Sequence, residues 1–311
     1  MDNSSGPMEE HFLEEVRVCD LCGNDGLEQE LVADEWILLK CTTCGLVFTS
    51  PRYSEDCLLR MYKDRYYQNA RSYLSSQLQR PPEELYRLAI SMTKMFSPKN
   101  GAKVLRALDV GCGAGNTVAA FKRAKWEAVG IDLSEKAIKA GKDLGLDLRA
   151  TDFADVEPRS FDVITALHVL EHVSSPKTFL NQCAACLTSG GTLVIDVPNY
   201  GCRNSRNLRE CWPYLYPHLH LYQFTVNTLK KYLDSLKFDI ISIRKVNGYG
   251  PAEDYSSVPG HHSPRQNRIK KTLQERRHAL FLMPGAKPFL RWLFWQALGY
   301  GEFIRVLCQK N

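Results

Sequence analysis

The chain passes from a buried strand into a helix through a run of glycines, and few architectures accommodate that junction. Val104 to Val110, V-L-R-A-L-D-V, reads as a short strand of branched and aliphatic residues. G-C-G-A-G follows at once (Gly111, Gly113, Gly115), and T-V-A-A-F-K-R-A then begins a helix. A strand, a glycine turn and a helix N-terminus together let backbone N–H groups approach an anion closely. A second strand, Glu127 to Ile131, ends in Asp132, 17 positions beyond Gly115. A carboxylate there is placed to bind the two hydroxyls of a ribose. The spacing G-x-G-x-G is not the dinucleotide spacing G-x-G-x-x-G, and a glycine turn alone is weak evidence. Asp109, two residues before the loop, would repel a pyrophosphate and suits a cationic ligand. The middle of the chain is therefore predicted to be a nucleoside-binding α/β unit.

Eleven cysteines need a different explanation. The first residues, M-D-N-S-S-G-P-M-E-E-H, are polar and acidic and hold no apolar signal core. The expected compartment is the cytoplasm, where thiols stay reduced and no disulfide framework forms. Four of the cysteines fall in the pattern C-x2-C-x18-C-x2-C: Cys19, Cys22, Cys41 and Cys44. Gly23 and Gly45 follow the pairs directly, as tight knuckles require. A hairpin through Leu38 and Leu39 would bring the knuckles together as a four-thiolate, structural zinc site with no open coordination position. Cys183 and Cys186, in F-L-N-Q-C-A-A-C-L before a Gly-Gly turn, have helical apolar spacing and are expected in the core. Cys57, Cys202, Cys211 and Cys308 show no partner pattern.

Five segments carry a family resemblance: L-D-V-G-C-G-A-G from Leu108, V-G-I-D-L-S from Val129, T-D-F from Thr151, F-D-V-I-T-A-L-H-V-L-E-H-V from Phe161 and G-G-T-L-V-I-D-V-P-N from Gly190. In this order, over roughly 101–246, the chain resembles the class I S-adenosylmethionine-dependent methyltransferases. The ribbon followed by C-G-L-V-F-T-S-P-R further resembles a bacterial subgroup acting on small molecules, sugar-nucleotide C-methyltransferases among them. The resemblance implies a Rossmann-like, seven-stranded α/β sheet with helices on both faces, joined to the small zinc ribbon. It implies that Asp109, Gly111, Cys112, Gly113 and Gly115 surround the methionine part of the cofactor and that Asp132 takes the ribose hydroxyls. Leu133 would pack on the adenine, Asp152 and Phe153 would bind its edge and face, and Leu167 and His168 would line the cofactor toward the substrate.

Methyl transfer from a sulfonium is a single displacement, so the protein mainly aligns the reactants. Where a base is needed, histidine suits a near-neutral reaction. His168 and His172 flank Glu171 just after the fourth strand, where Glu171 and His172 are expected to brace the start of the next helix. A second cluster, Y-L-Y-P-H-L-H-L-Y-Q-F-T from Tyr214, resembles the segment in which the sugar C-methyltransferases carry a proposed histidine base. On that match His220 is the catalytic candidate, with His218 beside it. Leu219 stands where those enzymes have a glutamate, and Tyr222 offers an alternative group to orient the nucleophile. The alternative is that His220 anchors the loop before the helix Val226 to Leu236.

The expected plan is a flexible N-terminus over 1–14, the ribbon over 15–52, and a helical linker or cap over 53–100. The cofactor-binding core follows over 101–246, then a substrate or lid insert over 247–302 and the last core strand with the C-terminus over 303–311. The insert separates two strands, Ile240 to Val246 and Phe303 to Cys308, that pair as an antiparallel hairpin in the resembled fold. It contains Arg265, Arg268, Lys270, Lys271, Arg276 and Arg277, which would attract a phosphate-bearing acceptor. Its apolar 288–298 stretch could pack on the sheet, on a second copy or, peripherally, on a membrane. Interrupted by Arg291 and Gln296, that stretch is half the roughly 20 residues of a spanning helix.

With 40 Lys+Arg against 35 Asp+Glu, the net charge of +5 argues against a nucleic-acid partner. The 44% hydrophobic content excludes a disordered chain. The function expected is methyl transfer to a small-molecule acceptor such as a sugar, a nucleotide sugar or another biosynthetic intermediate. The rivals are a zinc-containing ribosomal RNA methyltransferase and a non-catalytic cofactor-binding module that docks a partner. Nothing in the sequence selects the acceptor atom or an oligomeric state.

Overall fold

A computed structural model describes residues 12–64, 83–96, 104–246 and 301–310. Among them the chain forms a seven-stranded sheet, a four-stranded sheet and a two-stranded ribbon. The two-stranded ribbon pairs β1 (Leu13–Glu14) with β5 (Arg52–Tyr53).

In the four-stranded sheet, β2 (Leu27–Ala33) and β3 (Trp36–Cys41) make the hairpin predicted around Leu38 and Leu39. Its turn places Asp34 at φ +53°, a conformation that Asp tolerates better than most residues. The register sets Leu27 opposite Cys41, so the second knuckle lies beside the chain leaving the first. Two further strands complete this sheet: β4 (Val47–Thr49) and, from far along the chain, β11 (Tyr222–Gln223). The ribbon is therefore stitched to the segment following the fifth core strand. Cys19, Leu46 and Phe48 share one buried cluster with Leu108, Ile164 and Leu193 of the large sheet.

The large sheet runs β12 (Phe238–Val246), β13 (Phe303–Lys310), β10 (Leu187–Pro198), β9 (Phe161–Leu167), β6 (Arg106–Val110), β7 (Glu127–Asp132) and β8 (Leu148–Ala150). β13 alone runs antiparallel to its neighbours, and it pairs with β12 as the sequence predicted. The seven-stranded Rossmann-like sheet of the class I methyltransferases is thus present. β9 reads F-D-V-I-T-A-L and is buried along nearly its whole length, as a central parallel strand must be.

The described α-helices are α1 (Glu55–Asp64), α2 (Glu83–Phe96), α3 (Asn116–Arg123), α4 (Glu135–Lys142), α5 (Pro176–Cys186), α6 (Arg203–Leu208) and α7 (Val226–Ser235), with short 3-10 turns at Phe153–Asp155 and Arg209–Cys211. Cys183 and Cys186 are fully buried on α5, the core role expected. The expected Gly-Gly turn lies inside β10, as an irregularity between Leu187 and Thr192 with Gly190 at φ +72°.

Strand order reverses between β6 and β9: β6 sends its chain toward β7 on one side, while β9 lies on the other. A ligand crevice is expected at the C-terminal ends of those strands. Gly111 and His168 are the first residues beyond them. Residues 247–300 of the insert expected over 247–302, with its basic run and 288–298 stretch, lie outside the described residues, as do residues 1–11.

Candidate active site

A cavity of about 570 Å³ opens at that reversal point. Its wall includes Gly111, Asp132, Leu133, Asp152, Phe153 and His168, six of the residues expected to hold the cofactor. The parallel register explains the convergence. Val110 lies opposite both Ile131 and Ala166, so the ends of three strands stand abreast.

The glycine loop is built for close approach. Gly111, Gly113 and Gly115 have φ of +68°, +53° and +91°, all left-handed. A Cβ at Gly111 would stand 2.5 Å from Val169 Cγ2, and one at Gly115 2.8 Å from Leu146 Cδ1. Gly113 itself does not face the cavity. Its N–H donates to Asp132 Oδ2 at 2.9 Å, while the Ser134 N–H donates to Asp132 Oδ1 at 2.8 Å. Burial raises the Asp132 carboxyl, and these backbone donors oppose the shift. Each carboxylate oxygen keeps an acceptor site for a ribose hydroxyl.

Phe153 and Phe179 meet at 5.3 Å between ring centroids, forming an aromatic corner on the cavity wall. Asp152 caps the turn after it, accepting the Ala154 N–H at 3.0 Å, and also lines the cavity. The residues present thus suit S-adenosylmethionine: a loop that a side chain would fill, a ribose carboxylate and an aromatic corner for a purine.

Gly115, like Gly113, does not line the cavity, and three further expected cofactor residues take other places. Asp109 is buried beneath the loop, where its Oδ1 accepts the Thr165 hydroxyl at 2.5 Å. Burial raises its carboxyl to about 7, although the hydroxyls of Thr165 and Thr117 favour the ionised form. Cys112 points into the core against Gly130, and Leu167 packs with the cluster behind the sheet. None of the three lines the cavity.

The catalytic candidates also separate. His168 stands at the cavity with φ +58°, its ring edge-on to Phe303 at 4.9 Å. Tyr222 does not reach the cavity. Its hydroxyl donates to the Ser174 carbonyl at 3.0 Å and accepts from Arg52 Nη1 at 3.1 Å, tying the ribbon to the core. His220 lies behind the cavity wall, 5% exposed, with Nδ1 2.9 Å from the Tyr214 carbonyl. Between His220 and the cavity stands His172, which lines the wall as His168 does and whose ring meets His220 edge-on at 4.6 Å. Burial lowers both rings below the usual histidine range, His220 well below it.

Glu171 and His172 do not brace α5. Ser175 caps that helix, and Asp20 of the first knuckle accepts the Lys177 N–H at 3.0 Å. The Ser-Pro pair at the helix start was the readable signal for that cap. Tyr62 of α1, Val169 and Phe179 also wall the cavity, and the sequence suggested a role for none of them. They sit in ordinary amphipathic or apolar strings whose destination depends on packing over long separations.

The fold brings together the four cysteines expected to hold zinc. The four sulfur atoms of Cys19, Cys22, Cys41 and Cys44 all lie within 4.8 Å of one another. Cys19 and Cys44 are 3.4 Å apart, and Cys22 and Cys41 3.6 Å. A tetrahedral zinc with bonds of about 2.3 Å sets such edges near 3.8 Å. Burial holds the Cys44 thiol up at about 11, and four adjacent thiolates need a cation to coexist. The donor set fits a structural zinc.

Comparison with known proteins agrees with this geometry. The sequence pattern of a family described as a methyltransferase domain matches residues 63–243, more than half of the chain. A ubiquinone biosynthesis O-methyltransferase from Bradyrhizobium sp. (strain ORS 278) is 39% identical over 102 residues, 30% of this chain and 40% of that protein. The corresponding enzyme from Thiobacillus denitrificans is 34% identical over 137 residues, 41% of this chain and 56% of that protein. This chain therefore spans roughly half or less of the curated relatives it matches. Among solved structures, the plantazolicin methyltransferase BpumL in complex with SAH is 16% identical, with a TM-score of 0.49, over 82% of this chain and 94% of that one. A SAM-dependent methyltransferase from Archaeoglobus fulgidus is 20% identical, with a TM-score of 0.44, over 72% of this chain and 94% of that one.

Proposed function

The chain belongs to the methyltransferase-domain family, in the class I S-adenosylmethionine-dependent group, and from that premise we propose that it methylates a small biosynthetic intermediate. The observation that carries the reading is the shared cavity. Gly111, Asp132 and Phe153, expected at the donor, line it together with His168, His172 and Tyr62. When bound, the donor supplies an electrophilic methyl on sulfur. The chain's residues hold the ribose through Asp132, set the adenine in the aromatic corner and bring the acceptor beside the histidines. Alignment of this kind can provide much of the rate of a one-step displacement.

The names of the curated relatives favour a small hydroxylated acceptor over a macromolecule. The sugars and nucleotide sugars suggested by the ribbon resemblance fall within that class. Zinc in the four-cysteine site would have a structural part. Asp20, next to Cys19, accepts from Ser175, Lys177 and Tyr232, so the metal-held knuckle fixes the start of α5 and with it one wall of the cavity. In this plan residues 15–52 serve as a scaffold and 101–246 as the catalytic core.

The test is incubation of the full chain with methyl-labelled donor and pools of phenols, sugars and nucleotide sugars. Label should move to a small product, and demethylated donor should form in equal amount. Transfer to RNA but to no small molecule would overturn the acceptor class.

A further inference from the structure

Glu171 is an anomaly that the donor site does not use. It is 1% exposed, and among the described residues neither carboxylate oxygen has a hydrogen-bond partner. His168 Nδ1 stands 3.4 Å from Oε1 without the alignment of a hydrogen bond, on a side chain that is 40% exposed. A buried carboxylate left this way is costly unless something positive faces it.

Two imidazoles converge on the same spot. Glu171, His172 and His220 each offer a ligand atom, and those atoms all lie within 4.8 Å of one another. Both rings are oriented by backbone carbonyls. His220 Nδ1 is 2.9 Å from Tyr214 O, and His172 Nδ1 is 3.1 Å from Leu219 O and 2.7 Å from Tyr62 Oη. A carbonyl can only accept, so the contact to Tyr214 O puts the proton of His220 on Nδ1 and leaves its Nε2 a free lone pair; His172 does the same toward Leu219 O when the Tyr62 hydroxyl accepts rather than donates. Metal-bound histidines show this outer arrangement, in which the second ring nitrogen donates to a carbonyl.

We propose that Glu171, His172 and His220 form a second metal site, which takes a first-row divalent ion such as zinc or iron(II). Two imidazoles and one carboxylate suit those ions better than magnesium, which prefers oxygen and water. Unlike the closed four-thiolate site, three protein ligands leave coordination positions open. His172 lines the cavity, so the site adjoins it.

The inferred ligand there is an acceptor oxygen, and this part rests on the methyltransferase reading. An acceptor hydroxyl bound to the ion loses its proton to solvent. Its oxygen lone pair then forms the C–O bond as the C–S bond breaks, and those electrons return to sulfur as a neutral thioether. Leu219, which replaces the glutamate of the resembled sugar enzymes, agrees with His220 serving as a ligand rather than as half of an acid–base pair.

The test loads metal-free full-length protein with cobalt(II) and reads stoichiometry and absorption, with donor affinity measured separately. Wild type should take two ions per chain: one with intense near-ultraviolet thiolate bands, the other with weak visible bands only. Glu171→Gln, nearly isosteric, and His220→Ala should each reduce the stoichiometry to one, with the thiolate bands and donor affinity intact. Those two signals also show that each variant is folded. A wild type that takes one ion, or variants that both keep the second, would overturn the site. Two ions with no donor binding would instead overturn the methyltransferase reading and leave the site standing.

Discussion

Gly111→Ala, compared with Gly145→Ala, separates backbone strain from crowding in the glycine loop. Both glycines are left-handed, at φ +68° and +75°. A Cβ at Gly145 meets nothing within 4 Å, whereas one at Gly111 meets Val169 Cγ2 at 2.5 Å. Left-handed backbone costs an L-residue about 1 to 2 kcal/mol, and that should be the whole effect at Gly145. Valine is stiff at χ1 and cannot simply swing away, so Gly111→Ala adds an overpacking cost of about 1 to 3 kcal/mol. At about 2 to 4 °C per kcal/mol, Gly145→Ala should lower Tm by a few degrees and Gly111→Ala by roughly twice as much. Thermal unfolding by circular dichroism measures both. Gly111 lines the cavity, so its variant should also bind the methyl donor at least about tenfold more weakly, a loss of about 1.4 kcal/mol, and Gly145→Ala should not. Equal melting temperatures with unimpaired donor binding in both variants would refute the crowding argument.

Other predictions follow from the buried polar groups and the ribbon. Asp109 has a folded-state pKa of about 7 against an ordinary 3.8, so the neutral acid's contribution to stability is full below 3.8 and lost as pH rises through 7. The stability gained by Asp109→Asn over wild type should therefore grow between pH 5 and 7 and level off above; a difference that is flat in urea melts across that range would contradict this. Tyr222→Phe removes a hydroxyl shared by Arg52 and Ser174, and should cost about 1 kcal/mol while leaving turnover unchanged. A large fall in turnover at full stability would return Tyr222 to the chemistry. Cys41→Ser should release zinc and, through Asp20, loosen the start of α5, where a lost cap alone is worth about 1 kcal/mol. Calorimetry should then show one lowered transition for the whole protein; a ribbon melting separately from an unchanged core would contradict the shared packing.

What the sequence made legible was local. The glycine loop, Asp132 and the four cysteines carry their chemistry in spacings of a few residues, and strand ends fell within two residues at β6, β7, β12 and β13. Tyr222 and His220 were harder to place, because their surroundings come from distant parts of the chain. Arg52, 170 positions away, holds Tyr222, and the pairing of β11 with β4 carries that segment into the ribbon sheet. The helix-bracing role expected of Glu171 failed for the same reason. Asp20, more than 150 positions away, supports the Ser175 cap and leaves Glu171 turned toward the two histidines. Asp109 was correctly marked as unusual, but the sequence could not show that a threonine from β9 would reach it first.

The central claim is that the cavity between Gly111 and His168 binds the sulfonium donor. Isothermal titration of the full chain with S-adenosylmethionine tests it most directly, with Asp132→Ala in parallel. The account predicts one saturable site per chain, weakened at least about tenfold in the variant, whose missing carboxylate can no longer hold the ribose or accept the Gly113 and Ser134 N–H groups. No saturation up to about 1 mM, equivalent to a binding free energy weaker than about −4 kcal/mol, would contradict it, as would equal affinity in both proteins.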